Sequence, residues 1–274
     1  MIINGNTVLY GIVGNPVSHS LSPAMHNAAL SSCGINGVYL PFPAPDISAA
    51  VTGIRGLGVQ GASVTIPHKE QVMALLDEID PVAAKIGAVN TLVNREGVLT
   101  GLNTDWVGAM RALEDKIVLS GATTVLLGAG GSARAIGFGL LEKGAQVLLS
   151  SRTESRGRSL AEELGCPWVS LAESEFLTGE ILINATSVGM HPHAEKIPVP
   201  AYLASRFKVI MDIVYAPLKT RLLQEAEIKG CEVINGLEML LYQGVAQFEI
   251  WTGETAPVSV MRSALGEALG IAEQ

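Results

Sequence analysis

The sequence predicts an α/β protein with two domains, and three observations support this fold class. Strand and helix signals alternate along the whole chain, as they do in proteins built around largely parallel sheets. The length of 274 residues is typical of about two domains. A hydrophobic content of 48% is sufficient to fill two cores.

In the first part of the chain, short apolar runs alternate with segments of helical spacing. The predicted strands are Val8–Val13, Val38–Pro41, Gly61–Ile66 and a hairpin of Ala88–Val93 and Gly97–Leu102. The predicted helices are Pro23–Leu30, Ile47–Leu57, one that begins within Glu70–Leu76, and Trp106–Leu113.

The second part of the chain continues the alternation and ends in two helices. The predicted strands are Thr123–Leu127, Gln146–Ser150, Ile181–Asn184, Val209–Val214 and Glu232–Ile234. A helix that stops at Gly144 follows the first of them, and apolar spacing predicts helices over Leu237–Trp251 and Val258–Leu269. The proline-rich stretch His191–Pro200 is predicted to be a loop.

A glycine-rich turn joins the strand Thr123–Leu127 to the helix after it, with Gly128, Gly130 and Ala133 at the spacing G-x-G-x-x-A. Glycines at these positions permit a tight turn and let backbone N–H groups approach a pyrophosphate at the helix N-terminus. Because a second strand follows, we interpret the unit as a dinucleotide site. The alternative is a glycine-rich turn without a ligand.

The end of the strand Gln146–Ser150 indicates which dinucleotide binds. An NAD site places Asp or Glu about 20 residues after the first glycine, whereas here Ser151 and Arg152 follow the strand and Arg156 is close by. A carboxylate would repel a 2′-phosphate and two guanidinium groups would bind it. The sequence therefore favours NADP, the alternative being a solvated arginine cluster.

Polar residues at the start of the predicted helix Pro23–Leu30 form a candidate carboxylate site. Ser22 followed by Pro23 is typical of an N-cap with proline at the first helical position. The hydroxyls of Ser20 and Ser22 would then face one spot at a helix N-terminus, which favours an anion. Simple capping is the alternative, but it needs only Ser22.

A lysine and a carboxylate follow other predicted strands of the first domain. Thr65 and Lys69 come at the end of the buried strand Gly61–Ile66, and Asn90 and Asp105 each follow a short apolar run and precede a turn or a helix. Strand ends are where α/β sites lie, so Lys69 and Asp105 can act as an acid/base couple. A lone lysine is otherwise an ordinary solvated residue.

Composition and charge narrow the class of protein. A net charge of −8 argues against nucleic-acid and anionic-membrane partners. The cysteines Cys33, Cys166 and Cys231 are scattered and odd in number, which fits a reducing compartment and predicts neither a disulfide framework nor a cysteine metal site. With no signal-peptide pattern and no long apolar run, we expect a cytoplasmic protein without a bound metal.

Nine motifs in chain order together resemble the shikimate dehydrogenase family, from near residue 8 to about residue 253. They are HSLSP (19–23), SVTIPHKE (63–70), GAVNT (87–91), GLNTD (101–105), GAGGSARA (128–135), SRTESR (151–156), NATSVGM (184–190), DIVYAPLKT (212–220) and GLEMLLYQG (236–244). The resemblance implies NADPH-dependent, reversible reduction of 3-dehydroshikimate to shikimate in the biosynthesis of chorismate and aromatic amino acids.

The resemblance also implies the architecture of the chain. An N-terminal α/β substrate domain (1–105) would be completed by C-terminal helices (237–274). A Rossmann-like NADP-binding domain (106–236) would lie between them in the sequence, with the active site in the cleft at the domain junction. A homodimer is compatible with the sequence but not required by it.

The resemblance assigns roles to individual residues. The catalytic pair would be Lys69 and Asp105. The substrate-binding residues would be Ser20, Ser22, Thr65, Asn90, Asp105, Tyr215 and Gln243. The cofactor-binding residues would be Gly128, Ala129, Gly130, Gly131, Ser132, Ser151, Arg152, Thr153, Arg156, Ile213 and Gly236. Two departures are Ser151, where the family often has Asn, and His68, where it often has Phe; we interpret both as tolerated variation.

Two rival functions remain open at the level of sequence. One is a quinate dehydrogenase, or a dual quinate/shikimate enzyme using NAD or NADP, which shares most of the motifs. Ser22, Thr65 and the arginine pair favour shikimate with NADP. The other is a catalytically silent NADP-binding regulatory module, against which the presence of both Lys69 and Asp105 argues.

Overall fold

The computed structural model describes residues 3–270 and divides into two compact units. The first unit comprises Met1–Thr104 and Gln243–Gln274, and the second comprises Asp105–Tyr242. The second boundary falls inside a helix, six residues later than the sequence-based boundary at residue 237. Among the described residues, no helix combines the length and the apolar character needed to cross a membrane.

The first unit is built on a mixed six-stranded sheet of order β2-β1-β3-β5-β6-β4. Its strands are β1 (Val8–Gly14), β2 (Gly37–Pro43), β3 (Gly61–Val64), β4 (Glu78–Ile79), β5 (Thr91–Arg95) and β6 (Val98–Leu102). Strands β2 and β3 both pair with β1 in parallel. The hairpin β5–β6 is antiparallel, as predicted from the sequence, and it joins the sheet through β3.

Helices cover this sheet, and two of the three begin with an aspartate side chain that caps the helix. They are α1 (Ser22–Ser32), α2 (Ile47–Gly56) and α3 (Pro81–Ile86). The Asp46 side chain accepts hydrogen bonds from two backbone N–H groups at the start of α2, which satisfies donors that would otherwise lack partners. The segment predicted to begin a longer helix forms only a short 3₁₀ helix, Gln71–Leu75.

The second unit is built on an entirely parallel six-stranded sheet of order β12-β11-β10-β7-β8-β9. Its strands are β7 (Thr123–Leu127), β8 (Gln146–Ser151), β9 (Trp168–Ser170), β10 (Ile181–Asn184), β11 (Val209–Asp212) and β12 (Glu232–Ile234). This strand order is that of a doubly wound dinucleotide-binding sheet. Successive strands are added on one side of β7 as far as β9 and on its other side from β10 onwards. The predicted α/β fold class is confirmed.

The remaining helices belong to the second part of the chain. They are α4 (Asp105–Glu114), α5 (Gly131–Glu142), α6 (Glu154–Leu164), α7 (Arg221–Ile228), α8 (Gly236–Thr252) and α9 (Val258–Ala268). The core of the second unit includes Leu126, Ile136, Leu140, Ile183 and Met211, all fully buried. The central strands β7, β10 and β11 are buried at nearly every position, as expected of a parallel sheet covered on both faces.

Candidate active site

The glycine-rich turn between β7 and α5 has the geometry of a pyrophosphate cradle. Gly128 has a φ of 118°, and a Cβ at this position would lie 2.8 Å from the carbonyl oxygen of Ala185, so only glycine fits. Beside Gly130 there is open space for a ligand. Within the described chain, no side chain caps α5, and its first turn carries no acidic residue. The turn therefore suits a dinucleotide anion.

Ala129, Gly131 and Ser132 complete this turn and are half-buried. Together with Gly128 and Gly130 they are the five residues predicted to contact the pyrophosphate. The structure brings all five into one continuous strand–turn–helix segment.

The residues predicted to bind a 2′-phosphate follow β8 and open α6, but they are not equally accessible. Arg152, Thr153 and Arg156 are exposed, whereas Ser151 is 4% exposed. The Ser151 hydroxyl donates to the carbonyl of Thr153 (3.1 Å) and accepts from the indole Nε1–H of Trp168 (2.9 Å). The exposed residues are therefore the candidate phosphate ligands, and the Ser151 hydroxyl is engaged within the protein.

Two segments predicted to line the nicotinamide side meet through their backbones. A Cβ on Gly236 would lie 2.2 Å from the carbonyl oxygen of Ile213, so a side chain at residue 236 would force the two segments apart. Ile213 directly follows β11, and Gly236 begins α8. Tyr215, two residues after Ile213, is half-buried, and burial raises the pKa of its phenol.

Asp212, to which the sequence motifs assign no role, organises the loop that carries Ile213 and Tyr215. Its carboxylate accepts hydrogen bonds from Asn184 Nδ2 (3.0 Å), the Val214 backbone N–H (3.0 Å) and the Thr220 hydroxyl (2.7 Å). Burial raises the pKa of Asp212 to about 6 despite these donors. The sequence signal that could have revealed this cluster is the polar residue that ends each of two buried strands, Asn184 in β10 and Asp212 in β11.

In the first unit, the start of α1 differs from the predicted cap. The helix begins at Ser22 itself, Leu21 occupies the N-cap position, and no side chain of the described residues caps the helix, so the prediction of Ser22 as N-cap was wrong. The Ser20 hydroxyl instead accepts a hydrogen bond from the Ser22 backbone N–H (3.3 Å). Ser20 is half-buried and Ser22 is buried, so the two hydroxyls differ in their exposure.

A buried chain of side-chain hydrogen bonds links this helix start to the sheet. The Ser63 hydroxyl donates to Gln247 Oε1 (2.8 Å), so the Tyr39 hydroxyl, 2.6 Å from Ser63 Oγ, is the donor in that pair. Tyr39 also hydrogen-bonds Ser22, and burial raises its pKa. His26 stacks on the Tyr39 ring at 4.5 Å, and burial lowers its pKa to about 3, so this imidazole is neutral.

The predicted hydroxyl-binding residues Asn90 and Gln243 lie together in the first unit. Asn90 Nδ2 donates to Gln243 Oε1 (3.4 Å) and to Thr104 Oγ1 (3.0 Å), while its Oδ1 accepts from the Thr104 backbone N–H (2.7 Å). Gln247 Nε2 binds the backbone carbonyl of Asn90 (3.1 Å). Asp105 directly follows Thr104, is 4% exposed and opens α4, so the Asn90 amide fixes the residue that precedes the predicted carboxylate.

Lys69 lies on the segment after β3, and its backbone is held next to Asn90. The Lys69 carbonyl accepts from the Val89 N–H (2.8 Å), and the Thr65 N–H donates to the Val13 carbonyl (2.9 Å). Thr65 and Lys69 are both half-buried and therefore accessible to a ligand. His68 is buried, and its Nε2 donates to the Ala44 carbonyl (2.6 Å), which is a packing role.

Comparison with known proteins gives matches along nearly the whole chain. The shikimate dehydrogenase substrate binding domain matches residues 12–92, and the shikimate 5′-dehydrogenase C-terminal domain matches residues 236–265. The chain is similar to shikimate dehydrogenase (NADP(+)) of Methanothermobacter thermautotrophicus, with 45% identity over 98% of this chain and 99% of the relative. It is also similar to that of Pyrococcus furiosus, with 48% identity over 95% and 96% of the two chains.

A solved structure is similar over the same extent. Shikimate 5-dehydrogenase from Thermus thermophilus, determined in complex with NADP(H) and shikimate, superimposes with a TM-score of 0.88. It is 40% identical to this chain, and the match covers 96% of this chain and 100% of that one.

Proposed function

The chain belongs to the shikimate dehydrogenase family, and from this membership we infer that it catalyses the NADPH-dependent, reversible reduction of 3-dehydroshikimate to shikimate. The observation that carries this inference is full-length similarity to NADP-dependent relatives. The reaction is an oxidoreduction at a CH–OH group and belongs to the biosynthesis of chorismate and aromatic amino acids.

The residues of the second unit fit NADP. The glycine cradle of Gly128–Ser132 would hold the pyrophosphate, because it combines open space with an uncapped helix start. The guanidinium groups of Arg152 and Arg156, with Thr153, would hold the 2′-phosphate. The backbone of Ile213 and Gly236 would line the nicotinamide. When bound, the cofactor supplies the hydride.

The substrate is a small polyhydroxy acid, and the residues of the first unit offer matching groups. Ser20 and Ser22 would bind its carboxylate, and Tyr215 of the second unit is proposed to contribute its phenol to the same task. Thr65, Asn90 and Gln243 would bind the ring hydroxyls. Asn90 suits this task because its amide is already held in one orientation by Thr104 and Gln243, so little side-chain entropy is lost when a ligand binds.

Lys69 and Asp105 are proposed to supply the proton that the ketone oxygen of the substrate takes up during reduction. Reduction of the ketone carbon leaves negative charge on its oxygen, and the Lys69 ammonium would stabilise this charge and donate a proton to the oxygen, becoming a neutral amine. Because Lys69 is half-buried rather than enclosed, water can restore its proton. Asp105 would orient the ammonium and accept a hydrogen bond from the substrate hydroxyl.

A substrate and cofactor matrix tests this function. Initial rates of oxidation are measured for shikimate and for quinate, each with NADP⁺ and with NAD⁺. We expect the highest kcat/KM for shikimate with NADP⁺. A higher kcat/KM for quinate would instead establish the quinate dehydrogenase alternative, and NADP⁺ binding without turnover of either acid would establish a silent module.

A further inference from the structure

Trp168 forms a side-chain relay with the turn that carries the candidate phosphate ligands. It begins β9, which pairs with β8 so that Trp168 lies opposite Leu149. Its indole Nε1–H donates to Ser151 Oγ (2.9 Å), and the Ser151 hydroxyl donates onward to the Thr153 carbonyl (3.1 Å). The indole N–H of Trp168 on β9 therefore holds, through Ser151, the backbone of the turn that follows β8.

The relay is packed tightly under the first turns of α6. A Cβ on Gly157 would lie 2.0 Å from Ser151 Oγ and 2.1 Å from Trp168 Nε1, so α6 approaches the hydrogen bond as closely as glycine allows. The turn carries Arg152, and α6 carries Arg156. Their backbones are consequently fixed relative to each other through the Trp168–Ser151 contact.

The same indole also organises charge at the start of α6. The Arg158 guanidinium lies over the Trp168 ring, 4.5 Å from its centroid, and Arg158 Nε donates to Glu154 Oε1 (2.8 Å). Glu154 is the acidic residue in the first turn of α6, where its negative charge would repel a bound phosphate. Pairing with Arg158 partly neutralises this carboxylate.

We propose that Trp168 is a positioning residue for NADP selectivity. Through Ser151 it holds the Arg152–Thr153 turn against α6, so that the two arginines are preorganised for the 2′-phosphate. The inference rests on the proposed use of NADP and adds a residue that lies outside the motifs. It also explains why serine suffices at residue 151: its hydroxyl serves the turn, and the charge comes from the neighbouring arginines.

The test uses two small probes of the adenosine end, adenosine 2′,5′-bisphosphate and adenosine 5′-monophosphate, whose dissociation constants are measured by calorimetry. The variants are Trp168→Phe, which keeps a ring and removes the N–H, Ser151→Ala, and the double variant. Trp106→Phe, a half-buried tryptophan of the same unit, is the matched control. Urea unfolding of each protein establishes that it is folded.

Each single variant should raise the Kd of the bisphosphate about three- to tenfold, the effect of one hydrogen bond. The monophosphate Kd should change less than about twofold. Because both residues act through one contact, the double variant should bind no more weakly than the weaker single variant. Trp106→Phe should leave both constants unchanged.

Three results in the variants would overturn the proposal: equal weakening for both probes, unchanged binding of both, or additive losses in the double variant. Failure of the proposed function is distinguishable, because neither probe requires the substrate. A protein that shows the predicted pattern but does not oxidise shikimate would retain the positioning role and lose the assigned reaction. A wild type that binds the two probes equally would overturn the phosphate clamp and the role of Trp168 together.

Discussion

At the scale of single residues, the proposed acid is Lys69. Lys69→Ala should lower kcat by about 10²–10⁴, because a positioned general acid contributes that much, while the KM for shikimate changes far less. Steady-state kinetics measure both parameters. Lys85→Ala, at an exposed lysine of the same unit, is the control and should behave as wild type. Near-normal turnover in Lys69→Ala would exclude the assignment.

Asp212 gives a second prediction at this scale, in the stability of the protein against pH. Burial raises its pKa from 3.8 to about 6, so ionisation costs the folded state more than the unfolded state. The contribution of Asp212 to the free energy of unfolding is therefore complete below about pH 4 and declines as the pH rises to about 6. The full decline is on the order of 3 kcal/mol, since one pKa unit is worth about 1.4 kcal/mol.

Urea unfolding of wild type and Asp212→Asn between pH 4 and pH 7 checks this prediction. Asparagine does not titrate, so the difference in stability between the two proteins should shift in favour of the variant as the pH rises to about 6, and then become constant. A difference that does not vary with pH would mean that the carboxylate titrates at its ordinary value.

Residue types at strand ends led to candidate site residues, but they gave no information on side-chain contacts. The sequence pointed to Lys69 because it comes after a predicted strand and to Asn90 because it follows a short apolar run, and the Val89–Lys69 backbone hydrogen bond brings the two segments together. It could not show that the Ser151 hydroxyl is engaged by Trp168, since that contact joins two strands and depends on their register.

At the scale of elements, Gln247 connects α8 to the sheet of the first unit. Its side chain accepts from Ser63 and donates to the Asn90 carbonyl and to Thr91 Oγ1 (2.9 Å), and it is fully buried. Gln247→Ala would leave several buried polar groups without partners. We expect a loss of about 2–4 kcal/mol in the free energy of unfolding, measured in urea.

The control for this prediction is Gln60→Ala, at an exposed glutamine of the same unit, which should cost less than about 0.5 kcal/mol. Equal stabilities of the two variants would show that the Gln247 side chain does not tie the helix to the sheet. Because Gln247 holds the Asn90 backbone, the KM for shikimate should also rise in any folded Gln247→Ala protein.

The two C-terminal helices and several short apolar strands were predicted closely, whereas other short elements were missed. The helices α8 and α9 were predicted to within one residue at each end, because their apolar spacing extends over several turns. The helix α3 was missed because six residues show no period, although Asp80 caps its start and Gly87, with a φ of 72°, ends it. The helix α7 and the strand β9 were missed as well.

At the scale of the whole molecule, the family, the α/β fold and the NADP cofactor predicted from the sequence are confirmed. Nine motifs in chain order specify a family more strongly than any one of them does, and most of them mark a strand end or a helix start. The two parts of the first unit, 1–104 and 243–274, are far apart in sequence. Their association could be expected only from the resemblance, since local periodicity does not report contacts between distant segments.

The most direct test of the account is cofactor selectivity in shikimate oxidation. The kcat/KM for NADP⁺ and for NAD⁺ is measured in wild type and in the double variant Arg152→Gln/Arg156→Gln, with Arg221→Gln at an exposed arginine as control. We predict that wild type and control favour NADP⁺ at least tenfold, because two charge-assisted contacts exceed the roughly 1.4 kcal/mol that a tenfold preference requires. The double variant should lose this preference because its kcat/KM for NADP⁺ falls while its kcat/KM for NAD⁺ stays the same. A wild type that uses both cofactors equally would contradict the account.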